Sequence, residues 1–523
     1  MSLFSAALHP NVGLGFLILG ASLHDILTRV KAEPHRFPRL DLAYSPTEPV
    51  TEPVVVTLPA NGIRLRFDGP EQRLRLIEVL DFTKNRITYQ DKDIAKPSSV
   101  QGSSGTTRTG NELASGPAFK NVYHRLFGPT YAGEYIPPSN DNANGVGTYI
   151  LSYPGVAFSF PVPVSAYSPN KDVVSLLSSS ASQTATSVAV FSGKSWAHAR
   201  EELWTEVLPS TKSAFLFSKS KEVVPDEISL VKIHGGGRLQ LFKKWTSISV
   251  WINLGETSPQ ELVAELGPPD AIYRKNDQRM YIHKNRTSSH SRSRSSGADY
   301  KRPDDFTDTD QSSAPTGSDD SDDEAIEDET VDSVSGECFY NYFYLGFDIL
   351  MSSPQQPSRT PPSQINRNGD QLPGANVLKN GNPDRLVASK VVLHANVPGS
   401  YPFNRHRRSR WEISYLDKPE SNFVVDSETP FDEIEEQLRD EWKSTYVSEE
   451  DAKRRQRGMV LNRGWGDSPG SSCEFLGGWE DSSGGIASKK LDDSEESTTT
   501  LYGFPGLVFE VLKNGYVSAV TVY

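Results

Sequence analysis

Apolar and variable positions alternate in four short runs of this chain, and a glycine opens each one. The runs are Gly62-Ile63-Arg64-Leu65-Arg66-Phe67, Gly155-Val156-Ala157-Phe158-Ser159-Phe160, Gly346-Phe347-Asp348-Ile349-Leu350-Met351 and Gly506-Leu507-Val508-Phe509-Glu510-Val511. Period two over six residues is the signature of a half-buried strand, and its recurrence predicts one structural unit used repeatedly. A stretch with helical spacing precedes each run. Ser22 stands ahead of Leu23, Ile26, Leu27 and Val30, so it is placed to cap a helix with one apolar face. Thr257-Ser258 stands likewise ahead of Pro259, Glu261, Leu262 and Leu266, with Gly267-Pro268-Pro269 as a stop. The other two helices are sketched more faintly, by Val122, Leu126 and Phe127 before Gly128-Pro129, and by Ile434 and Leu438 after Asp432. Strands are expected again at Leu74 to Val79 and Val517 to Val522, the latter after the hairpin signal Asn514-Gly515.

The pattern therefore predicts an α+β protein of tandem helix-plus-β-hairpin units with mostly antiparallel sheets, interrupted by long disordered insertions. Two units fall in an N-terminal half from Val12 to Gly193 and two in a C-terminal half from Ser247 to Tyr523, with a β-rich connection, 194–246, between them. Only 36% of the 523 residues are hydrophobic. Much of the rest cannot bury enough apolar surface to offset its ordering entropy, so disorder is expected at 284–336 and 354–383, and a largely irregular insertion at 444–497.

The net charge of -13 is concentrated in one place. From Asp304 to Glu337 there are 14 acidic residues and no Lys or Arg, so the remainder of the chain is close to neutral, about +1. A basic, serine-rich stretch, Ser291 to Ser296, lies just ahead. Ser321, in Ser321-Asp322-Asp323-Glu324, is a candidate phosphorylation site within a solvated loop.

Two cysteines, Cys338 and Cys473, make a disulfide framework or a zinc site a poor expectation, and an intracellular protein is expected. The apolar stretch from Val12 to Ala21 is too short to span a bilayer and reads as a strand leading into the first helix. The sequon Asn285-Arg286-Thr287 has no secretory context.

Catalytic chemistry is sparse. His234-Gly235-Gly236-Gly237 matches the oxyanion loop of some esterases, and Gly466-Asp467-Ser468-Pro469-Gly470 matches the nucleophile elbow G-x-S-x-G. An elbow requires a strand before the serine and a helix after it, whereas Ser468 sits among glycines, prolines and serines. The first motif reads better as a turn between strands Ile228 to Val231 and Leu239 to Phe242. No Walker loop, G-x-G-x-x-G or H-E-x-x-H is present, and no catalytic, cofactor or metal residue is assigned.

Two basic clusters remain, Arg405-His406-Arg407-Arg408-Ser409-Arg410 and Lys453-Arg454-Arg455-Gln456-Arg457. The plain reading is a solvated strand end and a solvated helix or loop. Arg405, Arg407, Arg408 and Arg410 are nevertheless candidate contacts for phosphoinositide or another anionic surface, at about 1 kcal/mol per basic residue. Neither cluster carries the interleaved aromatics that nucleic-acid binding favours, so no nucleic-acid partner is expected.

The residues also carry a family resemblance. Asn61 to Asp68, Gln72 to Val79 and Asp81-Phe82-Thr83-Lys84 resemble the phagosome assembly factor 1 family. So do Tyr340 to Leu350, Val392 to Gly399 with Tyr401 and Phe403-Asn404, Val508 to Val511 and Ala519 to Tyr523. The likeness covers almost all of the expected folded part, in order. It implies a non-enzymatic adaptor in autophagy that pairs with a WD-type β-propeller protein and associates with the phagophore. Phosphoinositide affinity would come mainly through the partner, with no small-molecule substrate and no cofactor. The older view of the family implies a Golgi-to-plasma-membrane transport adaptor instead, and a serine hydrolase using Ser468 is a remote alternative. The family pattern gives no role to Arg405 through Arg410.

Overall fold

The computed structural model describes residues 4–95, 116–131, 133–138, 145–177, 184–205, 207–208, 226–246, 248–274, 337–354, 385–416, 424–462 and 498–523. Three short strands, β1 (Phe4–His9), β2 (Gly13–Leu14) and β3 (Leu17–Ile18), lead into the helix Leu23–Ala32. Val12 to Ala21 is thus a tight hairpin, not one strand, because Gly15 adopts φ 61 and turns the chain back. Ser22 caps the helix as its position predicted, its Oγ accepting from the Asp25 amide at 3.1 Å.

A meander follows: β4 (Asp41–Ala43), β5 (Val54–Leu58), β6 (Ile63–Phe67) and β7 (Leu74–Val79). Then come β8 (Asn85–Tyr89), β9 (Lys92–Ala95) and a short helical segment, Phe119–Asn121 continuing through Val122–Leu126. A second meander is formed by β10 (Glu134–Ile136), β11 (Val146–Tyr153), β12 (Val156–Pro163) and β13 (Ser187–Val190). Its last strand pairs antiparallel with β7, so the two meanders make one eight-stranded sheet.

The same order returns downstream. The strands β14 (Ile228–Ile233), β15 (Arg238–Lys243) and β16 (Ser249–Asn253) precede the helix Pro259–Leu266. This helix has a full capping box between Ser258 and Glu261 and ends at Gly267, φ 87. A third meander is β17 (Ala271–Arg274), β18 (Cys338–Tyr342), β19 (Phe347–Ser352) and β20 (Val387–His394). After β21 (Trp411–Ile413) and the helix Phe431–Glu441, the fourth is β22 (Met459–Asn462), β23 (Thr498–Phe504), β24 (Leu507–Leu512) and β25 (Val517–Val522). Again the two last strands, β20 and β25, pair antiparallel into an eight-stranded sheet.

All four glycine-led runs are strands, and each is the third strand of its meander: β6, β12, β19 and β24. The glycines take φ 59, 77, 93 and 77, a left-handed turn that directs the chain into the strand. Each array thus has four strands where the sequence pattern led us to expect a hairpin. The added first and second strands, such as Asp41–Ala43, are too short or irregular for period two to reveal.

Two further stretches take definite form. The segment expected as a connection supplies β14 and β15, an antiparallel pair in which β15 pairs antiparallel with β16 and β14 pairs parallel with β21, so it packs with the C-terminal half. Within the stretch expected to be largely irregular, residues 449–455 form a helix and 459–462 form β22. Ser448 Oγ accepts from the Asp451 amide, and acidic residues in the first turn with basic ones in the last complement the helix dipole. Residues 284–336, most of 354–383, Ser321, Ser468 and Cys473 lie outside the described residues. Cys338 is buried as a free thiol.

Each half has its own apolar core. Leu27, Leu65, Phe67, Phe158 and Phe160 centre the first, and Phe347, Ile349, Trp411, Ile434 and Phe509 the second. At the seam, Val50 packs with Ala395, Val397 and Tyr516.

Candidate functional site

The most concentrated chemistry lies at that seam, where the Arg405 to Arg410 stretch meets the N-terminal half. Leaving β20, the chain turns at Asn396 and Asn404, both with positive φ, and runs across the N-terminal half before entering β21. This path buries arginines that local sequence marks as exposed. Arg407 is 3% exposed and Arg408 6%.

Arg407 forms ion pairs with Asp25 and with Glu227, the latter at 3.2 Å, and its guanidinium lies 3.7 Å from the centroid of the Tyr344 ring. Glu227 is shared, because Arg73 approaches its other oxygen at 2.7 Å. Lys244 pairs with Glu71, which also lies 3.7 Å from Arg73. Burial opposes every charge here, yet Asp25 and Glu227 are held below the ordinary carboxylate range by Arg407, with Arg73 adding to the effect on Glu227. Arg407 is held above its ordinary value by those two carboxylates despite its burial.

The neighbouring arginines are just as engaged. Arg408 donates to the carbonyls of Pro70 and Ala395, each at 2.7 Å, and to Glu428 at 2.9 Å. Arg410 grips the same carboxylate at two points, 3.1 and 2.8 Å. Burial works against ionised Glu428, but these two guanidiniums hold its pKa at about 2. Arg405 is half-buried and already engaged. The expected anionic-surface contact through Arg405, Arg407, Arg408 and Arg410 is therefore corrected: the two central arginines face inward, because carboxylates distant in sequence fold onto them. Desolvation offsets much of the attraction in a network of this kind, whose ion pairs link Asp25 and Arg73 of the N-terminal half to Glu227 and Arg407.

Next to this junction lies the one group of metal-ligand side chains among the described residues, Asp348, His394 and His406, with ligand atoms within 4.8 Å of one another. Both His Nε2 atoms meet Asp348, on different oxygens, at 2.9 Å each, and Asn341 donates to it at 2.9 Å. The two rings are stacked, centroids 3.8 Å apart and planes 15° apart. Nearly parallel rings cannot both direct an in-plane lone pair at a single ion about 2.1 Å away, so the geometry fits a hydrogen-bonded carboxylate better than a metal centre. Burial, then the neighbouring His394, pushes the His406 imidazole down to about 4 against the opposing pull of Asp348.

With fold and junction in view, comparison with known proteins decides the family. The family model for phagosome assembly factor 1 matches residues 13–301 and 372–523. The chain belongs to the phagosome assembly factor 1 family. A PHAF1 protein of Arabidopsis thaliana is 23% identical over 520 residues, spanning 99% of this chain and 92% of that protein. A PHAF1 protein of Drosophila melanogaster is 21% identical over 532 residues, spanning 98% and 93%. One from Caenorhabditis elegans matches over 156 residues at 26% identity. No solved structure matches the chain. The matched regions hold both sides of the junction, with Asp25, Arg73 and Glu227 in the first and Arg407, Arg408 and Glu428 in the second.

His234 to Gly237 is the turn between β14 and β15, as expected, with all three glycines at positive φ. It borders a cavity of ≈ 310 Å³ lined also by Arg238, Tyr415, Trp442, Gly506 and Leu507, and no serine, cysteine or threonine lines it. His234 is occupied by Gln240 at 3.1 Å and rests on Trp251. The motif also sits on antiparallel strands, unlike the alternating α/β sheet an oxyanion loop serves. Sequence reasoning missed Asp25, Glu71, Gln72, Glu227, Lys244, Asn396 and Glu428. Only their long-range pairing gives them a role, and no local motif signals it. Among the described residues no helix is long and apolar enough to cross a membrane.

Proposed function

We propose that this chain is a non-enzymatic adaptor in autophagy that pairs with a WD-type β-propeller protein and is recruited with it to the phagophore membrane. The family match over most of the chain carries the reading. The site chemistry agrees with it, because the clustered charges form ion pairs with one another inside the fold. In this reading phosphoinositide affinity resides mainly in the partner.

The reading extends to the architecture: four related units, paired into two halves. It is supported by the recurrence of helix, four-strand meander and third-strand glycine, and by the joining of meanders through their last strands in both sheets.

The test is affinity purification of the tagged full chain from fed and starved cells, with mass spectrometry. Stoichiometric recovery of a WD-type propeller protein, together with reduced autophagic flux on gene deletion, is expected. Recovery of Golgi cargo-sorting proteins in its place, with normal flux, would overturn the autophagy reading in favour of Golgi transport.

A further inference from the structure

The two eight-stranded sheets differ in how their outward faces are covered. In the N-terminal sheet, the chain leaves β13 and crosses that face as the helix Trp196–Glu201, with Trp196, Ala199 and Leu203 packed on Leu76, Ile150, Ala157 and Ala189. Those partners are well sealed, with Leu76 at 1%, Ile150 at 7% and Ala157 at 2% exposure. A charge pair at 3.1 Å, Arg200 with Glu134, ties the helix to the sheet edge.

Aligning the meanders on their third-strand glycines finds the corresponding positions in the C-terminal sheet. Gly62 matches Gly346 and Gly155 matches Gly506, so strand pairing places Lys390, Leu501, Val508 and Thr521 where Leu76, Ile150, Ala157 and Ala189 stand. None of these four is buried, and Lys390 is exposed, its ammonium 5.9 Å from the centroid of the Tyr523 ring. Val392 and Phe339 share the face and are half-exposed; at its rims Met459 is 60% exposed, Tyr273 48% and Tyr523 49%. Among the described residues no helix crosses it.

We propose that this face, centred on Val508 and Leu501, receives an amphipathic helix from a partner protein. The internal counterpart defines the occupant: apolar side chains spaced by three and four, as at Trp196 and Ala199 of the helix and Leu203 in the turn after it, over a sheet of small and branched residues. Lys390 adds a charge where the N-terminal sheet has Leu76, so the incoming helix carries a carboxylate on that flank. The proposal depends on the adaptor reading for the existence of a partner, and specifies where and how it docks.

The experiment places a photo-crosslinking amino acid at Val508 in the full chain, expressed in its own cells, and maps the adduct by mass spectrometry. The same probe at Ala157 serves as control and captures the chain's own Trp196 helix. The expected product at Val508 is a helix-forming segment of a second, different polypeptide. Val508→Glu and Lys390→Glu then reduce co-purification of that polypeptide by about tenfold or more, while the melting temperature of the Lys390→Glu protein stays at the wild-type value. An adduct within the chain itself, an adduct to a second copy, no adduct at all, or undiminished recovery in the Lys390→Glu protein would each overturn the proposal. A propeller protein recovered equally with both variants would leave the adaptor reading standing and remove this face from it. A helix mapped at Val508 that belongs to no propeller protein would do the reverse.

Discussion

Gln72 and Asn396, 324 positions apart, are joined by two hydrogen bonds across the seam between the halves, one of them to the Asn396 main chain. Gln72 Nε2 donates to the Asn396 carbonyl, and Asn396 Nδ2 donates to Gln72 Oε1, both at 2.9 Å. Both residues are buried and both hold left-handed backbone, φ 51 and 49, which costs a side-chain-bearing residue unless its surroundings compensate. Asn396 also accepts the Asn404 amide at 2.7 Å, so it anchors the turn that delivers the arginines.

Asn396→Ala removes the bond to Gln72 Oε1 and the one that accepts the Asn404 amide, keeps the main-chain carbonyl that accepts from Gln72 Nε2, and leaves the Gln72 oxygen buried without a donor. The expected loss is about 2–4 kcal/mol, and the double-mutant cycle with Gln72→Ala returns a coupling of about 1–3 kcal/mol. Urea unfolding of the full chain checks both figures. A coupling near zero would show that the reciprocal pair does not act as a unit.

Arg407 supplies a second test at the same seam. Removing one partner of a buried pair leaves the other charges uncompensated, so Arg407→Ala is expected to destabilise by about 3–5 kcal/mol and to open the seam to protease before either half unfolds. Arg407→Lys keeps the charge but loses the planar contact with Tyr344 and the two-sided reach to Asp25 and Glu227, and falls between Ala and wild type. Thermal melts combined with limited proteolysis order the three proteins.

These residues also mark where the sequence stopped being informative. The four glycine runs were legible because period two and a left-handed turn are both local, and the helix starts at Ser22 and Ser258 because capping is decided within four residues. The inward path of Arg407 and Arg408 was not. Four arginines in six positions look solvated, and the carboxylates that bury them stand at positions 25, 227 and 428, brought near only by the pairing of distant strands. β14 and β15 were visible as strands, but their membership in the C-terminal half depends on the parallel pairing with β21.

The buried titrating groups give the seam a defined pH dependence. His406 is pushed down to about 4 from an ordinary 6.5, so between these values the unfolded chain binds a proton that the folded one refuses. Stability therefore falls as pH drops through that window. Glu428, at about 2 against an ordinary 4.5, together with the lowered Asp25 and Glu227, extends the fall below pH 4.5. Melting temperature is expected to decline steadily from pH 6.5 downward. His406→Gln flattens the upper part of the curve, between about pH 6.5 and 5, and leaves the decline below 4.5 in place. A wild-type curve flat down to pH 4.5 would contradict the burial of a neutral His406.

Two glycines at equivalent places in the two sheets give a contrast that composition alone would not predict. Gly155 and Gly506 share φ 77, and each opens the third strand of its meander. A Cβ at Gly155 would fall 2.0 Å from the Asn11 amide nitrogen, whereas one at Gly506 would meet only the Tyr523 carbonyl oxygen at 3.6 Å. Alanine at Gly506 therefore bears the left-handed backbone cost alone, about 1–2 kcal/mol. Alanine at Gly155 adds a backbone collision that must push the β1–β2 turn away, breaking the bond from the Gly193 amide to Asn11 Oδ1, and is expected to cost at least about twice as much. Chemical denaturation of the two single variants measures the difference. Equal losses would mean that the turn at Asn11 yields freely, and that the seal between hairpin and third-strand glycine in the N-terminal half is no tighter than its open counterpart beside the cavity at Gly506.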